Sequence, residues 1–327
     1  MKLSVVVPVY NEQDTLPLLY QALVASMEAT DVSWEVILVD DGSRDGSLIV
    51  MDGLAASDPA RVRVVALRRN FGQTAAIAAG IDHSNGDVIV LLDADMQNDP
   101  ADIPMMLEKI EQGYDVVSGW RMHRKDAFIT RTLPSRIANA LISWVTGVHL
   151  HDYGCTLKAY RREVITGFRL YGEMHRFIPV YASSVGARII EVPIRHHARR
   201  YGKAKYGLER TLKVILDLFT VKFLSSFANK PIYLFGGAGM GLILISLAGL
   251  GYLGVRRLAY GISPFTSPLF ILTLMVAIFG FQSILMGLIA ELLVRTYHES
   301  QNKPTYTVLK RLNFDAKHHP QQPRSGL

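Results

Sequence analysis

A single cysteine, Cys155, leaves no partner for an intrachain disulfide and no thiol cluster for zinc. No G-x-G-x-x-G follows any strand-like run, and G-x-x-x-x-G-K-[ST] does not occur, which counts against dinucleotide and P-loop chemistry. Nucleic-acid motifs are missing as well. The net charge of +6 and pI near 9.3 therefore point to anionic lipid or phosphate as the partner rather than to nucleic acid. Val5 to Val9 is too short for the apolar core of a signal peptide and runs straight into Asn11-Glu12-Gln13-Asp14, so the N-terminal domain is expected to stay in the cytosol. Charge is also missing from two long stretches, the 24 residues Ile232 to Val255 and the 29 residues Ile262 to Ala290. Each is long enough to cross ~30 Å of hydrocarbon as a helix, and neither has the polar face of a soluble core helix.

What is present is organised around Asp87 to Pro100, DVIVLLDADMQNDP. Val88 to Leu92 is unbroken aliphatic and follows the turn pair Asn85-Gly86, the pattern of a strand buried on both faces. It ends in Asp93 and Asp95, with Gln97 two residues on; at an extended strand end all three side chains can turn the same way. Two carboxylates and an amide oxygen are hard ligands suited to Mg²⁺ or Mn²⁺, whose shell is commonly completed by phosphate oxygens. A lone Asp-x-Asp usually opens a loop. At the carboxyl end of the most buried strand, where open α/β sheets bind ligands, a metal and a diphosphate are the better expectation.

Around that strand, apolar runs at Leu3 to Val9, Val36 to Val39, Val62 to Leu67 and Asp115 to Ser118 alternate with helical stretches, among them Ser47 to Ala56 and Gln73 to His83. This spacing predicts an α/β, doubly wound, mainly parallel sheet. Its first, second and fourth strands end at one rim in Tyr10, Glu12, Asp40, Asp41, Asp93 and Asp95, placed to accept from a base N–H or a ribose hydroxyl. For Asp40-Asp41-Gly42-Ser43 alone, an ordinary capped turn is an equal alternative.

Beyond the fifth strand the chain turns basic. Arg121, Arg124, Lys125, Arg131 and Arg136 are followed by an apolar stripe through Leu133 to Val145 that includes Trp144, and a second amphipathic stretch covers Leu208 to Phe227. Both suit helices lying at a membrane surface. The run Arg195 to Lys205 precedes the first apolar stretch and suits a phosphate at the bilayer surface. Lys213, Lys222 and Lys230 precede the apolar pair and Arg295, Lys303, Lys310 and Arg311 follow it, against Arg256 and Arg257 between, so the positive-inside rule puts both ends in the cytoplasm. The expected organisation is a catalytic domain at 1–207, juxtamembrane helices at 208–230, two transmembrane helices at 231–294 and a cytoplasmic tail at 295–327, disordered after Phe314.

VVVPVYNE (Val5 to Glu12), VDDGS (Val39 to Ser43), NFGQ (Asn70 to Gln73), LDADMQNDP (Leu92 to Pro100) and RYGKAKY (Arg200 to Tyr206) resemble family 2 glycosyltransferases of the polyprenyl-phosphate type, which include dolichol-phosphate mannosyltransferases and bactoprenol glucosyltransferases. DYGCTLKAYRRE (Asp152 to Glu163) and the two apolar stretches look most like the bacterial branch that loads undecaprenyl phosphate, formamido-arabinose transferases among them. The resemblance implies a GT-A fold with interfacial amphipathic helices and a two-helix transmembrane hairpin in the cell inner membrane. It implies that Pro8, Tyr10, Glu12 and Asp41, with Val39, Asp40 and Ala94 beside them, meet the nucleotide. Asp93 would touch ribose or sugar, and Asp95 and Gln97 the metal, Mg²⁺ or Mn²⁺. Arg131 and Ser135 match acceptor-phosphate positions, Arg200 and Lys205 close over both phosphates, and Arg121 joins them. Where some relatives have an acid directly after the glycine this chain has Cys155, so Asp152 is the nearest substitute for a catalytic carboxylate.

The expected reaction is an inverting, metal-dependent transfer from a nucleotide sugar, UDP favoured over GDP, to undecaprenyl or another polyprenyl phosphate, in an enzyme that forms homo-oligomers. Two rival readings remain open. A processive polysaccharide synthase would carry Q-x-x-R-W, yet none of Trp34, Trp120 and Trp144 follows an arginine. A non-catalytic membrane-tethered nucleotide-sugar sensor would have no need of Asp93, Asp95 and Gln97 together with the basic cluster.

Overall fold

The computed structural model describes residues 1–122, 139–140, 142–144, 146–166, 170, 174–197, 232–300 and 306–314. They fall into two units, 1–221 with 303–327, and 222–302. In the first, β1 (Lys2–Val9), α1 (Leu16–Glu28), β2 (Ser33–Asp40), α2 (Ser47–Ser57), β3 (Val62–Leu67), α3 (Gln73–Asp82) and β4 (Val88–Leu91) realise the alternation read from the sequence. α4 (Ile103–Glu111), β5 (Val116–Trp120), β6 (Lys158–Arg161), the single turn α5 (Arg162–Ile165), α6 (Ile178–Ser184) and β7 (Ile189–Pro193) follow.

Among the described residues the sheet has eight strands, the last being β8 (Val308–Leu312), in the order β7-β5-β6-β4-β1-β2-β3-β8. β1 pairs in parallel with β2 on one side and β4 on the other. Leu3, Val5, Val6, Val7 and Val9 on β1 and all of β4 are buried, as strands sandwiched between helix layers must be. The chain steps from β1 to β2 to β3 in one direction, and α3 then returns it to β4 on the far side of β1. That reversal lies between the carboxyl ends of β1 and β4, where a crevice forms in doubly wound sheets.

Two strands run against the parallel grain. β6 is antiparallel to β4 and β5, and β8 (Val308–Leu312) is antiparallel to β3 at the edge. The sequence reading had no strand after the apolar pair, so β8 is an addition to it. The Tyr306 hydroxyl donates to Asp82 at 2.8 Å, Lys310 reaches Asp52 at 2.9 Å, and the Asn313 amide donates to the carbonyls of Ala55 and Val62.

Gly42, after β2, has φ +68°, and a Cβ there would meet the backbone of Arg69 and Asn70 at 2.6 Å. Left-handed backbone and an unyielding neighbour add, so Gly42→Ala should destabilise the domain by roughly 2–4 kcal/mol. A thermal melt of that variant within a degree of wild type would contradict the packing of these two loops.

The second unit is a hairpin of α7 (Ile232–Tyr260) and α8 (Pro268–Ser300). Within them Phe235–Tyr260 and Pro268–Ala290 are long and apolar enough to cross a membrane, with mean hydropathy 1.9 and 2.3, and only 17% and 11% of each apolar window is buried. A soluble core helix would be mostly covered. α7 runs on through Arg256 and Arg257 to Tyr260, and α8 begins at Pro268 rather than Ile262, so the connection sits later than the sequence reading put it. Gly239 and Gly280 let the helices close up: a Cβ on either would meet the other's carbonyl oxygen at 2.5 and 2.8 Å. Ser246 and Ser283 donate across the pair to the carbonyls of Thr273 and Phe235. Gly239 is thus used inside the hairpin, while a Cβ on Gly237 or Gly241 would meet open space.

Candidate active site

Three loops meet at the rim where β1, β2 and β4 end. Leaving β1, the chain passes Tyr10 and turns at Asn11, whose φ is 54°. The Asn11 N–H donates to Ser43 Oγ at 3.0 Å, Glu12 N–H to Ser47 Oγ at 2.8 Å, and Asn11 Oδ1 accepts from Arg44 N–H at 2.8 Å. These bonds brace the loop after β1 against the loop after β2. Pro8, Val39 and Asp40 are still in strand, with Pro8 opposite Val39 and Val9 opposite Asp40, so the residues expected at the nucleotide do come together.

Asp41 has a use that the sequence reading did not foresee. Its Oδ1 accepts from Phe71 N–H at 2.7 Å and its Oδ2 from Gly72 N–H at 3.0 Å, which fastens the NFGQ loop and the start of α3 to the rim. Burial pushes its pKa up, with the nearby Asp40 adding, while the two N–H donors pull it down. Asp40 Oδ1 accepts from Ser43 N–H at 3.1 Å, the capped-turn geometry held open as an alternative. Either carboxylate has lone pairs left for a base or a ribose.

β4 stops at Leu91, and the chain turns at Ala94 and Asp95, with Met96 at φ 59°. The acidic residues therefore sit on a tight turn, not on the extended strand end from which their common direction was argued. Asp95 is 8% exposed, and its Oδ1 accepts from Gln97 N–H at 3.1 Å, so its own turn presets it. Asp93 Oδ1 accepts from the Gln73 amide at 2.8 Å, and the Thr156 hydroxyl lies near enough to the same carboxylate to favour its charged form. Burial first and the Asp95 charge second push the Asp93 pKa up. A cation would offset the burial and the Asp95 charge that push Asp93 up, so the donor set fits a divalent metal. Among the described residues no cluster of three or more His, Cys, Asp or Glu is built for an ion. An ion held here would keep positions for phosphate oxygens and water, as Mg²⁺ does in nucleotide sites.

Beside the acidic turn, Arg121 and Asp152 form a fork-to-fork pair, Nε to Oδ2 at 2.7 Å and Nη2 to Oδ1 at 2.9 Å. Both are largely buried, with side chains 14% and 5% exposed. The pair holds the Arg121 pKa above its ordinary range despite burial. Gly154 makes room for it, since a Cβ would come within 3.2 Å of Arg121 Nη2. Glu191 on β7 takes the N–H groups of His151 and Asp152 at 2.9 and 3.0 Å. Cys155 is buried and its thiol is pushed up to about 11, mainly by burial, so it is no nucleophile.

The basic run after β7 is rooted on the acidic turn. His197 N–H donates to the Gln97 carbonyl at 2.8 Å and His196 bridges Asn98 in antiparallel fashion. Arg195 Nε reaches Asp102 at 3.2 Å and His197 Nε2 reaches Asp99 at 3.1 Å. Arg131, Ser135, Arg200 and Lys205 lie outside the described residues, as do the stretch 208–227 and most of 133–145. Trp144 is 80% exposed. The reading from sequence missed Gln73, Thr156 and Glu191. Gln73 stood inside a quoted motif, but only the fold shows that its amide meets Asp93.

A family model described as Glycosyl transferase family 2 matches residues 4–168. A dodecaprenyl-phosphate galacturonate synthase of Rhizobium johnstonii is 42% identical over 311 residues, covering 94% of this chain and 92% of that protein. An undecaprenyl-phosphate 4-deoxy-4-formamido-L-arabinose transferase of Sodalis glossinidius is 39% identical over 313 residues, covering 94% and 93%. Among solved structures, glucosyl-3-phosphoglycerate synthase from Mycobacterium tuberculosis in complex with Mn²⁺, UDP and phosphoglyceric acid aligns with TM-score 0.52 at 20% identity, over 68% of this chain and 78% of that one. The same enzyme with Mg²⁺ and UDP aligns with TM-score 0.51 at 21% identity, over 67% and 79%. At such identities the likeness is one of fold.

Proposed function

The chain belongs to the family 2 glycosyltransferases, in their polyprenyl-phosphate group and with their GT-A fold, and from that premise we propose that it transfers a sugar from a UDP-sugar to polyprenyl phosphate, with inversion, at the cytoplasmic face of the inner membrane. The observation that carries the reading is the strap from Gln97 to His197, because it starts the basic run at the acidic turn. From His197 the basic run continues in the sequence to Arg200 and Lys205, the cations that would meet phosphate.

Tyr10, Glu12, Asp40 and Asp41 take the nucleoside, with Pro8, Val39 and Ala94 as its walls, and Asp93, steadied by Gln73 and Thr156, faces the ribose or sugar. Held by Asp95 and Gln97, Mg²⁺ or Mn²⁺ would neutralise the departing diphosphate. The acceptor needs no strong base, since a phosphate monoester has its second pKa near ~6 and its oxygen is already ionised at neutral pH. The site must instead bring two anions together. Arg121, with Arg131, Ser135, Arg200 and Lys205, serves that purpose. Asp152 is then the residue that orients Arg121 rather than a catalytic carboxylate, as both its oxygens are committed to that guanidinium.

Chain connectivity supports the topology. The sheet unit precedes the hairpin and β8 rejoins the same sheet after it, so two crossings bring the chain back to the side it left, in agreement with the lysine and arginine count. Mass analysis of the lipid product from a panel of UDP- and GDP-sugars with undecaprenyl phosphate tests the whole reading. A sugar-phospho-polyprenol from a UDP donor, dependent on divalent ion, is expected. No polyprenyl-linked product from any donor would reject it.

A further inference from the structure

Lys158 opens β6 opposite Leu91 of β4 and Ser118 of β5, and its side chain is 2% exposed. A buried lysine ordinarily has a carboxylate beside it. Here the ammonium donates to two carbonyl oxygens instead, that of Tyr153 at 3.2 Å and that of Cys155. Among the described residues no carboxylate lies within ion-pair distance of it. Its remaining neighbours line a pocket of about 10 Å³, shared with Tyr160, His175 and Arg176, which has room for about one water and not for a substrate group. The Tyr160 hydroxyl, fully buried, makes no hydrogen bond there.

The two carbonyls belong to the loop 152–156. At one end of that loop Asp152 grips Arg121; at the other Thr156 lies beside Asp93, its hydroxyl favouring the charged carboxylate. We propose that Lys158 is a positioning residue of the active site: its ammonium ties down the middle of the 152–156 loop and thereby sets where Thr156 meets Asp93 and where Asp152 aims Arg121. Glu191 fixes only the start of the loop, through the N–H groups of His151 and Asp152. Nothing else described binds the carbonyls of Tyr153 and Cys155, so an unbranched apolar side chain of similar volume without the donors should free the loop while keeping most of the space filled.

The inference rests on the roles given above to Asp93 and Arg121, and its test separates the two. Cys155 is the only cysteine, lies in the loop and is 1% exposed, so its thiol reports on the loop without any substrate. In the full chain, Lys158→Met should react with a disulfide reagent at least about tenfold faster than wild type under native conditions. Tyr160→Phe, which alters the same pocket but no bond to the loop, should react at the wild-type rate. With the donor found by the panel above, Lys158→Met should lower kcat at least about tenfold and change donor KM less than about threefold. Thr156→Val should lower kcat in part, and adding it to Lys158→Met should cost no more than twofold further, since one path is cut twice. Wild-type labelling of Lys158→Met, labelling of Tyr160→Phe as fast as that of Lys158→Met, or multiplicative kcat losses in the double variant would overturn the proposal. Absence of transfer by wild type would instead reject the functional reading, and the labelling would still decide whether Lys158 holds the loop.

Discussion

Replacing Asp95 by Asn is expected to lower sugar transfer roughly a thousandfold, because the several kcal/mol that a metal supplies to a developing diphosphate charge convert at about 1.4 kcal/mol per decade. The variant is a clean one. Asparagine keeps the oxygen that accepts the Gln97 N–H, so the turn at Ala94 to Met96 has no reason to unfold, and the side chain fills the same buried space. What changes is charge: one of two neighbouring carboxylates is gone, and with it the repulsion that helps push Asp93 up. The remaining carboxylate, Asp93, should ionise more readily, yet one carboxylate does not supply the charge of two. Mn²⁺ titrated into wild type and variant, followed by electron paramagnetic resonance in the presence of UDP, should show binding weakened in step with turnover. Turnover within tenfold of wild type would remove Asp95 from the metal site.

Local pattern was enough for the parallel heart of the sheet. β1, β2, β3 and β4 are runs of aliphatic residues buried on both faces, and a run of that kind has few other places to go. The rim followed, since parallel strands put their carboxyl ends on one side. Pattern was not enough for strands whose stability comes from distant partners. β6 reads Lys-Ala-Tyr-Arg, and a lysine in the interior is unreadable until the carbonyls of Tyr153 and Cys155 are seen around it. β8 reads Val-Leu-Lys-Arg-Leu and looks like tail, because its partner β3 is more than 200 residues earlier and its charges suit an edge strand. The same limit applied inside the site. Asp41 could be identified as a rim carboxylate, but its grip on Phe71 and Gly72 depends on two loops meeting. The spacing of Asp93 and Asp95 suggested an extended strand, while the positive φ at Met96 turns the chain and leaves the pair in proximity for a different reason.

Asp152→Asn should be the most destabilising conservative change in the site. Arg121 cannot shed its charge, so removing the carboxylate leaves a largely buried guanidinium without compensation, a loss on the order of 3–5 kcal/mol. In a domain of this size that is a fall in melting temperature on the order of 10 °C. Activity should fall too, and loss of fold alone could account for it, so a second variant is needed. Arg121→Met with Asp152→Leu removes both charges and keeps most of the volume; buried pairs replaced in this way commonly return the stability or exceed it. The double variant should therefore melt near wild type, while acceptor KM rises at least about tenfold because no guanidinium faces the second phosphate. Those two readouts part company only if the pair exists for substrate and not for the fold. If the double variant recovered both, Arg121 would be a structural residue and the acceptor phosphate would have to be met by Arg131, Ser135, Arg200 and Lys205 alone. If it recovered neither, the pair would be holding the 152–156 loop to β5, and the arrangement around Asp93 would depend on it as much as on Thr156.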